Sequence, residues 1–279
     1  MSERFAEISA RIETVHKLSS VITAMRGIAA SRVQDAHQHL DSIRTYAATI
    51  GTAIGEALTL LPPPDAGSAS GRAGRHVVLV FAAEQGFAGT YSERVFDAAT
   101  AALVGGAELF LIGDRGLSVA EERKLTVLWS APMILHAAQT TTLATRLTDA
   151  IFTQGTLSQV SVVHASPDGS EEMKVVCKTL VPFDYSRFPM PKTQIAPETT
   201  LPPGQLLQSL VEEYIFAELS EAVMLSFAAE NEARMRAMIA AQENTEETLD
   251  EMIRTSRRLR QEEITGEIVE LATASLMHA

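Results

Sequence analysis

The first sixty residues of the chain carry a seven-residue hydrophobic repeat. Apolar side chains recur at alternating steps of three and four residues, and thirteen of fifteen such positions are apolar, the exceptions being Ser19 and Arg26. A heptad repeat of this length is typical of a coiled coil, whose seam needs a partner helix. We therefore predict one helix over residues 1–61. Its seam comprises Phe5, Ile8, Ile12, Val15, Ser19, Ile22, Arg26, Ala29, Val33, Ala36, Leu40, Ile43, Ala47, Ile50 and Ile54.

A second uninterrupted helical pattern occupies the C-terminal part of the chain. Residues 205–265 contain neither glycine nor proline, and as one helix they would extend for about 90 Å. A globular domain of 279 residues spans only about 40 Å. We therefore predict a C-terminal helix over 205–279 that pairs antiparallel with the N-terminal helix. Its seam is weaker, with three polar positions among Met235, Met238, Gln242, Thr245, Leu249, Met252, Ser256 and Leu259.

Between the two helices the hydrophobic pattern changes to that of buried strands. A Pro/Gly/Ser-rich linker over 62–75 precedes a head over 76–183, in which strands alternate with short helices. This alternation predicts a parallel sheet with helical crossovers, and turn residues before the last strand predict a closing hairpin. A proline-rich connection over 184–204 leads to the C-terminal helix. The fold class is thus α/β, a Rossmann-like head inserted into a long antiparallel coiled coil, with strands at 76–83, 107–113, 125–131, 159–166 and 173–183.

Composition and charge narrow the classes of partner. The net charge is −12, which argues against nucleic acid, and residues 205–279 carry most of it, with 15 acidic and 6 basic side chains. No apolar run approaches the about 18 residues of a membrane span, and the N-terminus lacks the apolar core of a signal peptide. We expect a cytoplasmic chain or a subunit held beneath a membrane. The single cysteine, Cys177, excludes an internal disulfide.

The turn after the first predicted strand is the one place where the sequence suggests a phosphate site. Its Gly86 and Gly89 could let the backbone approach a phosphate. The turn nevertheless matches neither a dinucleotide-binding nor a P-loop pattern and holds no lysine, which favours a structural turn. No metal-ligand spacing and no catalytic motif occur elsewhere. We therefore predict no catalytic, cofactor or metal site and no direct nucleotide binding.

Several segments together resemble the gamma subunit of the F-type ATP synthase, in a divergent form. The resemblance covers essentially the whole chain in order, and its terminal motifs are the specific ones. The turn after the first strand keeps chiefly the two glycines of the family pattern. The matching segments are RIETV (11–15), ITAMRGIAASRV (22–33), AAEQGFAGTY (82–91), NEARMRAM (231–238) and RQEEITGEIVEL (260–271).

The resemblance implies a central rotor shaft rather than an enzyme. In the family the coiled coil enters the hexamer of alpha and beta subunits, whose beta subunits hold the catalytic nucleotide. The head meets the epsilon subunit and the membrane-embedded c-ring, and rotation couples H⁺ or Na⁺ flux to nucleotide affinity. The implied place is the cytoplasmic side of the inner (plasma) membrane, as a peripheral subunit. The implied contacts with the hexamer are Met25, Arg26, Arg234, Gln261, Thr265 and Glu267.

The chain departs from the family pattern where contacts are expected. Ser20 and Thr23 stand at positions where the family usually has lysines, and residues 195–197, Ile-Ala-Pro, replace its Tyr-Glu-Pro segment. Gly266 stands where the family has glutamine and costs the helix about 1 kcal/mol. An alternative hypothesis is therefore a coiled-coil adaptor that keeps the fold without a rotor role. A nucleotide-handling enzyme with an α/β head is a third hypothesis, which the missing phosphate motifs disfavour.

Overall fold

The structure, a computed structural model, describes residues 3–61, 74–153, 155–167, 173–190 and 198–277. Residues 62–73 of the predicted linker and 191–197 of the predicted connection, including the Ile-Ala-Pro segment, lie outside the described residues. The elements in chain order are α1 (Glu3–Leu58), β1 (Arg75–Phe81), α2 (Tyr91–Ala99), β2 (Glu108–Ile112), α3 (Arg115–Glu122), β3 (Val127–Ala131), α4 (Thr140–Phe152), β4 (Leu157–Ser166), β5 (Lys174–Val181) and α5 (Pro203–Met277).

The described residues form two compact units. The helical unit contains residues 1–29 and 235–279, and the sheet unit contains residues 30–234. Both α1 and α5 contribute residues to each unit. Short 3₁₀ turns at Ala137–Gln139 and Tyr185–Arg187 complete the sheet unit. Among the described residues, no helix combines the length and the apolar character that crossing a membrane requires.

Burial along the two long helices follows the predicted heptads. All fifteen seam positions of α1 are buried or half-buried, whereas most residues between them are exposed. The eight seam positions of α5, including its three polar ones, are likewise buried or half-buried. Helices in water gain most of their stability from packing one face against a neighbour, so burial of the seam is what stabilises helices of this length. The predicted seams are confirmed.

The two helices run antiparallel where they share the sheet unit. The Arg44 Nε atom donates to the Glu221 carboxylate at 2.8 Å, and the Tyr46 hydroxyl donates to the Glu213 carboxylate at 2.6 Å. Rising residue numbers on α1 thus meet falling numbers on α5. In the helical unit, the Arg26 Nη1 atom donates to the Gln242 side-chain oxygen at 3.1 Å.

A five-stranded sheet forms the centre of the sheet unit. Its strand order is β3-β2-β1-β4-β5, in which the first four strands are parallel and β5 pairs antiparallel with β4. The predicted parallel sheet and its closing hairpin are therefore confirmed. Residues 77–81 of the central strand β1 are fully buried, because helices cover both faces of the sheet. Helices α2 and α3 pack on one face, and α4 with parts of α1 and α5 pack on the other.

Part of α5 is a core element of the sheet unit, which the heptad pattern did not predict. From Tyr214 to Asn231 nearly every side chain is buried, including Leu219, Val223 and Phe227 against the sheet. This segment is apolar on all sides apart from a few polar side chains, as expected for a helix that is surrounded by protein. This part of α5 is therefore buried on nearly all sides in the sheet unit. Its later part, in the helical unit, buries mainly its heptad positions.

Candidate partner-contact surfaces

The first predicted contact pair lies on α1 in the helical unit. Met25 and Arg26 are both half-buried. Arg26 occupies a seam position, and its guanidinium donates to Gln242, which occupies a seam position of α5. This polar pair replaces an apolar contact at one level of the seam. Met25 lies beside the seam, where part of its thioether side chain faces solvent.

An apolar stripe on α1 continues the surface around Met25. Leu18, Val21 and Ile28 are 51%, 54% and 55% exposed. With Met25 they are spaced by three, four and three residues, so they lie on one side of the helix. Exposed apolar side chains that cluster on one helix face mark an interaction surface more strongly than isolated ones.

The second predicted contact group lies near the C-terminal end of α5. Gln261, Thr265 and Glu267 are exposed, and the Thr265 hydroxyl donates to the Gln261 backbone oxygen at 2.8 Å. These predicted contact residues are therefore accessible to a partner. Gly266 lies between them, and a Cβ added there would meet nothing within 4 Å.

The same end of α5 carries a second apolar stripe. Ile264, Ile268 and Leu271 are 49%, 60% and 72% exposed, and their four-then-three spacing places them on one face. All side chains of residues 264–273 are exposed. Apolar side chains that stay exposed to water do not stabilise a helix. An exposed apolar stripe therefore indicates a surface that another protein covers.

Arg234 differs from the other predicted contact residues, because its side chain is engaged inside the sheet unit. It is 4% exposed. Its guanidinium pairs with the Glu230 carboxylate one turn earlier on α5 and donates to the Asn231 side-chain oxygen at 3.0 Å. It also donates to the backbone oxygens of Gln85 and Gly86, each at 3.2 Å. Arg234 thus ties α5 to the turn that follows β1.

A further polar cluster joins β5, the turn at Tyr185–Arg187 and α5. Lys178 and Arg187 both pair with Glu218, whose side chain is 6% exposed. Burial alone would raise the pKa of Glu218, but the hydrogen bond and charge of Lys178, with help from Tyr214 and Arg187, lower it. The partners lie 40 and 31 residues apart in sequence. No spacing rule could therefore have predicted the cluster.

Acid is expected to destabilise the sheet unit in two stages. Burial lowers the pKa of His164 below its ordinary value of 6.5, and the pKa of Glu218 lies below its ordinary value of 4.5. Each group binds fewer protons when folded than when unfolded, so stability falls as pH falls, first below 6.5 and then more steeply below 4.5. We expect His164→Asn to remove the first stage, measured as the urea midpoint between pH 7 and pH 5. An unchanged slope in that variant would show that His164 does not titrate as described.

Within the part of the chain that the structure describes, no three His, Cys, Asp or Glu side chains are grouped so as to hold a metal ion. The surfaces with the clearest functional character are thus the two apolar stripes of the helical unit, each flanked by predicted contact residues. Among the predicted contact residues, only Arg234 lies in the sheet unit, where its side chain binds groups of that same unit. The structure brings Met25 together with Arg26, and Gln261 with Thr265, while Arg234 lies in the other unit.

Comparison with known proteins gives a consistent result over nearly the whole chain. The model of the ATP synthase family matches residues 4–275. The chain is 26% identical over 293 residues to an ATP synthase gamma chain of Frankia casuarinae, covering 97% of this chain and 96% of that one. It is 24% identical over 283 residues to one of Solibacter usitatus, covering 96% and 97%.

Two solved structures share the fold. The first is the rotor of the Euglena gracilis mitochondrial ATP synthase, with a TM-score of 0.67 at 12% identity, covering 94% of this chain and 99% of that one. The second is the central stalk and c-ring structure of the Tetrahymena thermophila mitochondrial ATP synthase, with a TM-score of 0.56 at 20% identity, covering 79% and 99%.

Proposed function

Because this chain belongs to the ATP synthase family, alongside proteins named gamma chain, we propose that it is the central rotor shaft of such a synthase. The observation that carries the proposal is the helical unit. Its paired helices have a buried seam, and the end of α5 adds an exposed apolar stripe that no described residue covers. A shaft of this kind acts as a ligand that binds differently to each conformational state of the subunits around it.

In this proposal the chain does no chemistry of its own. The alpha and beta subunits form the hexamer around the helical unit, and the beta subunits hold the catalytic nucleotide. The epsilon subunit and the c-ring bind the sheet unit, so that ion flux through the ring turns the chain. The chain is then a peripheral subunit on the cytoplasmic side of the inner (plasma) membrane, as part of the synthase complex. Rotation presents an asymmetric surface to three catalytic sites in turn and biases each toward a different nucleotide affinity.

We assign the contacts with the hexamer to the two surfaces of the helical unit. Met25 and Arg26 contribute with the stripe on α1, and Gln261, Thr265 and Glu267 with the stripe on α5. Their exposure or partial exposure supports this assignment. For Arg234 the internal contacts support a different role, since its guanidinium is occupied by partners within the sheet unit. We assign it to holding the turn after β1 against α5.

Reconstitution tests the proposed function. Alpha and beta subunits of the same organism are assembled with and without this chain, and the ATPase activity of the product is measured together with ATP-driven ion pumping after the membrane sector is added. We expect ion pumping to occur only when the chain is present. In its presence, we expect ATP hydrolysis to be coupled to pumping. Assembly of the chain into the complex without any effect on either activity would favour the adaptor hypothesis. Nucleotide turnover by the isolated chain would favour an enzyme.

Replacing Ile268 with asparagine is expected to weaken assembly with the hexamer while leaving the isolated chain as stable as before. Ile268 is 60% exposed, so its loss changes the free energy of unfolding by no more than about 0.5 kcal/mol. Burying such a side chain in an interface contributes about 1.5–3 kcal/mol, which corresponds to an affinity loss of roughly tenfold to hundredfold. The measurement is a titration of labelled chain with alpha/beta hexamer.

The matched control is Val104→Asn, which alters a 72% exposed apolar side chain of the sheet unit. Asparagine and β-branched residues have similar helix propensities, so the Ile268 variant keeps its helix. Equal affinities for both variants and the unmodified chain would contradict the assignment of the α5 stripe to the hexamer.

A further inference from the structure

The carboxyl edge of the sheet is where a fold of this type would be expected to bind a ligand. In open α/β sheets, ligands lie outside the carboxyl ends of the strands at the point where the strand order reverses. Here β2 and β3 lie on one side of β1 and β4 lies on its other side, so the reversal lies between the carboxyl ends of β1 and β4. The turn that follows β1, residues 82–90, borders this crevice.

Two backbone donors of this turn are already bound to a carboxylate. The N–H groups of Glu84 and Gln85 each donate to the Glu230 carboxylate, at 3.2 Å. Glu230 lies on α5 and is only 3% exposed. Arg234 pairs with the same carboxylate and donates to the backbone oxygens of the turn. Two successive N–H groups in a turn that point at one anion form the arrangement that binds phosphate in other proteins.

A second carboxylate occupies the neighbouring strand ends. The Glu84 side chain accepts hydrogen bonds from the N–H of Asp114, which follows β2, at 3.1 Å. It also accepts from the N–H of Met133, which follows β3, at 2.7 Å. Four backbone donors from the ends of three parallel strands are therefore satisfied by two carboxylates of the chain itself.

Helix α5 also fills the crevice sterically. The Tyr91 hydroxyl, at the start of α2, donates to the Ser226 backbone oxygen of α5 at 3.3 Å. Ala229 of α5 packs in the same apolar cluster as Tyr91 and the end of β1. A nucleotide would need both this volume and the four donors.

We propose that Glu84 and Glu230 are built-in anions that occupy the ligand site of the sheet and close it to phosphate-bearing molecules. Their oxygens take the donors that a phosphate would use. The same contacts fix the turn after β1 to α5. The glycines therefore belong to a turn with a structural role. The turn does not bind phosphate because carboxylates of the chain itself occupy its N–H donors.

Chemical rescue tests the proposal on the full chain. Glu84→Ala leaves room for a small anion and frees the N–H groups of Asp114 and Met133. We expect its thermal midpoint to fall by about 5 °C. Sodium formate should then restore about half of that loss by binding to the folded state, relative to sodium chloride at the same ionic strength. Sodium phosphate should raise the midpoint of this variant by more than it raises that of the unmodified chain, which gains only the general stabilisation by phosphate.

Two variants control for general salt effects. Glu84→Gln keeps the side-chain volume, so formate should not raise its midpoint beyond chloride. Glu122→Ala removes an exposed carboxylate of α3 and should respond to both anions as the unmodified chain does. If Glu84→Ala does not refold from urea in chloride, we expect it to refold in formate. Equal responses of all variants and the unmodified chain to formate, or refolding that is equally poor in both salts, would overturn the proposal.

Discussion

Replacing Arg234 with alanine is expected to lower the free energy of unfolding of the isolated chain by about 3–5 kcal/mol, the usual cost of breaking a buried ion pair by removing one partner. The guanidinium is 4% exposed and holds Glu230, Asn231 and two backbone oxygens of the turn after β1. Alanine leaves Glu230 buried without its cation. The measurement is urea unfolding of the isolated chain followed by circular dichroism.

The control for this prediction is Arg254→Ala, which removes an exposed arginine from the same helix and should cost no more than about 0.5 kcal/mol. The comparison separates two roles for Arg234. A residue that contacts only the hexamer would leave the isolated chain as stable as before and would weaken assembly alone. That result would contradict the internal role assigned to Arg234.

Replacing Gly113 with alanine is expected to cost about 3 kcal/mol or more. Gly113 follows β2 with a φ of +100°, and an added Cβ would lie 2.4 Å from the Ala82 oxygen and 2.8 Å from the Ala83 oxygen. The backbone conformation alone costs a side chain about 1–3 kcal/mol, and the clash adds to this cost because both neighbours are backbone atoms. The measurement is the thermal midpoint of the variant.

Gly105→Ala provides the matched control. Gly105 has a φ of +86° but nothing within 4 Å of an added Cβ, so alanine there should cost only about 1–2 kcal/mol. If the two variants lost similar amounts of stability, the short distance from position 113 to the backbone of Ala82 and Ala83 would not be what requires glycine there. The sequence drew attention to Gly86 and Gly89 as a possible phosphate turn, and it gave no signal that Gly113 lies against the backbone that follows β1.

The heptad pattern predicted the long helices well because it depends only on local spacing. Every seam position of α1, including Ser19 and Arg26, is at least half-buried. The polar seam position at Arg26 finds a polar partner in Gln242, which the pattern allowed but did not specify. The strands were predictable for the same reason, since apolar runs bounded by turn residues mark buried strands. The exact bounds of the two connections stay predictions.

What the sequence could not show are contacts between residues far apart in the chain. Glu84 and Glu230 are separated by 146 residues, and nothing in the local pattern of either indicates that both bind strand-end N–H groups. Arg234 illustrates the same limit. The family motif implied a contact with another subunit, while its neighbours in space are supplied by a turn 148 residues earlier. Burial of the segment Tyr214–Asn231 within the sheet unit also depends on tertiary packing.

Rotation of the chain inside an immobilised complex is the most direct test of the rotor function. Cys177 is the only cysteine of the chain and is exposed, so a bead can be attached there through a maleimide linker. Partial burial raises the pKa of its thiol, and mildly alkaline pH will therefore speed the reaction. With alpha and beta subunits fixed to a surface and ATP supplied, we predict rotation in one direction with a pause for each catalytic site. A bead that only fluctuates while the hexamer hydrolyses ATP would contradict the account.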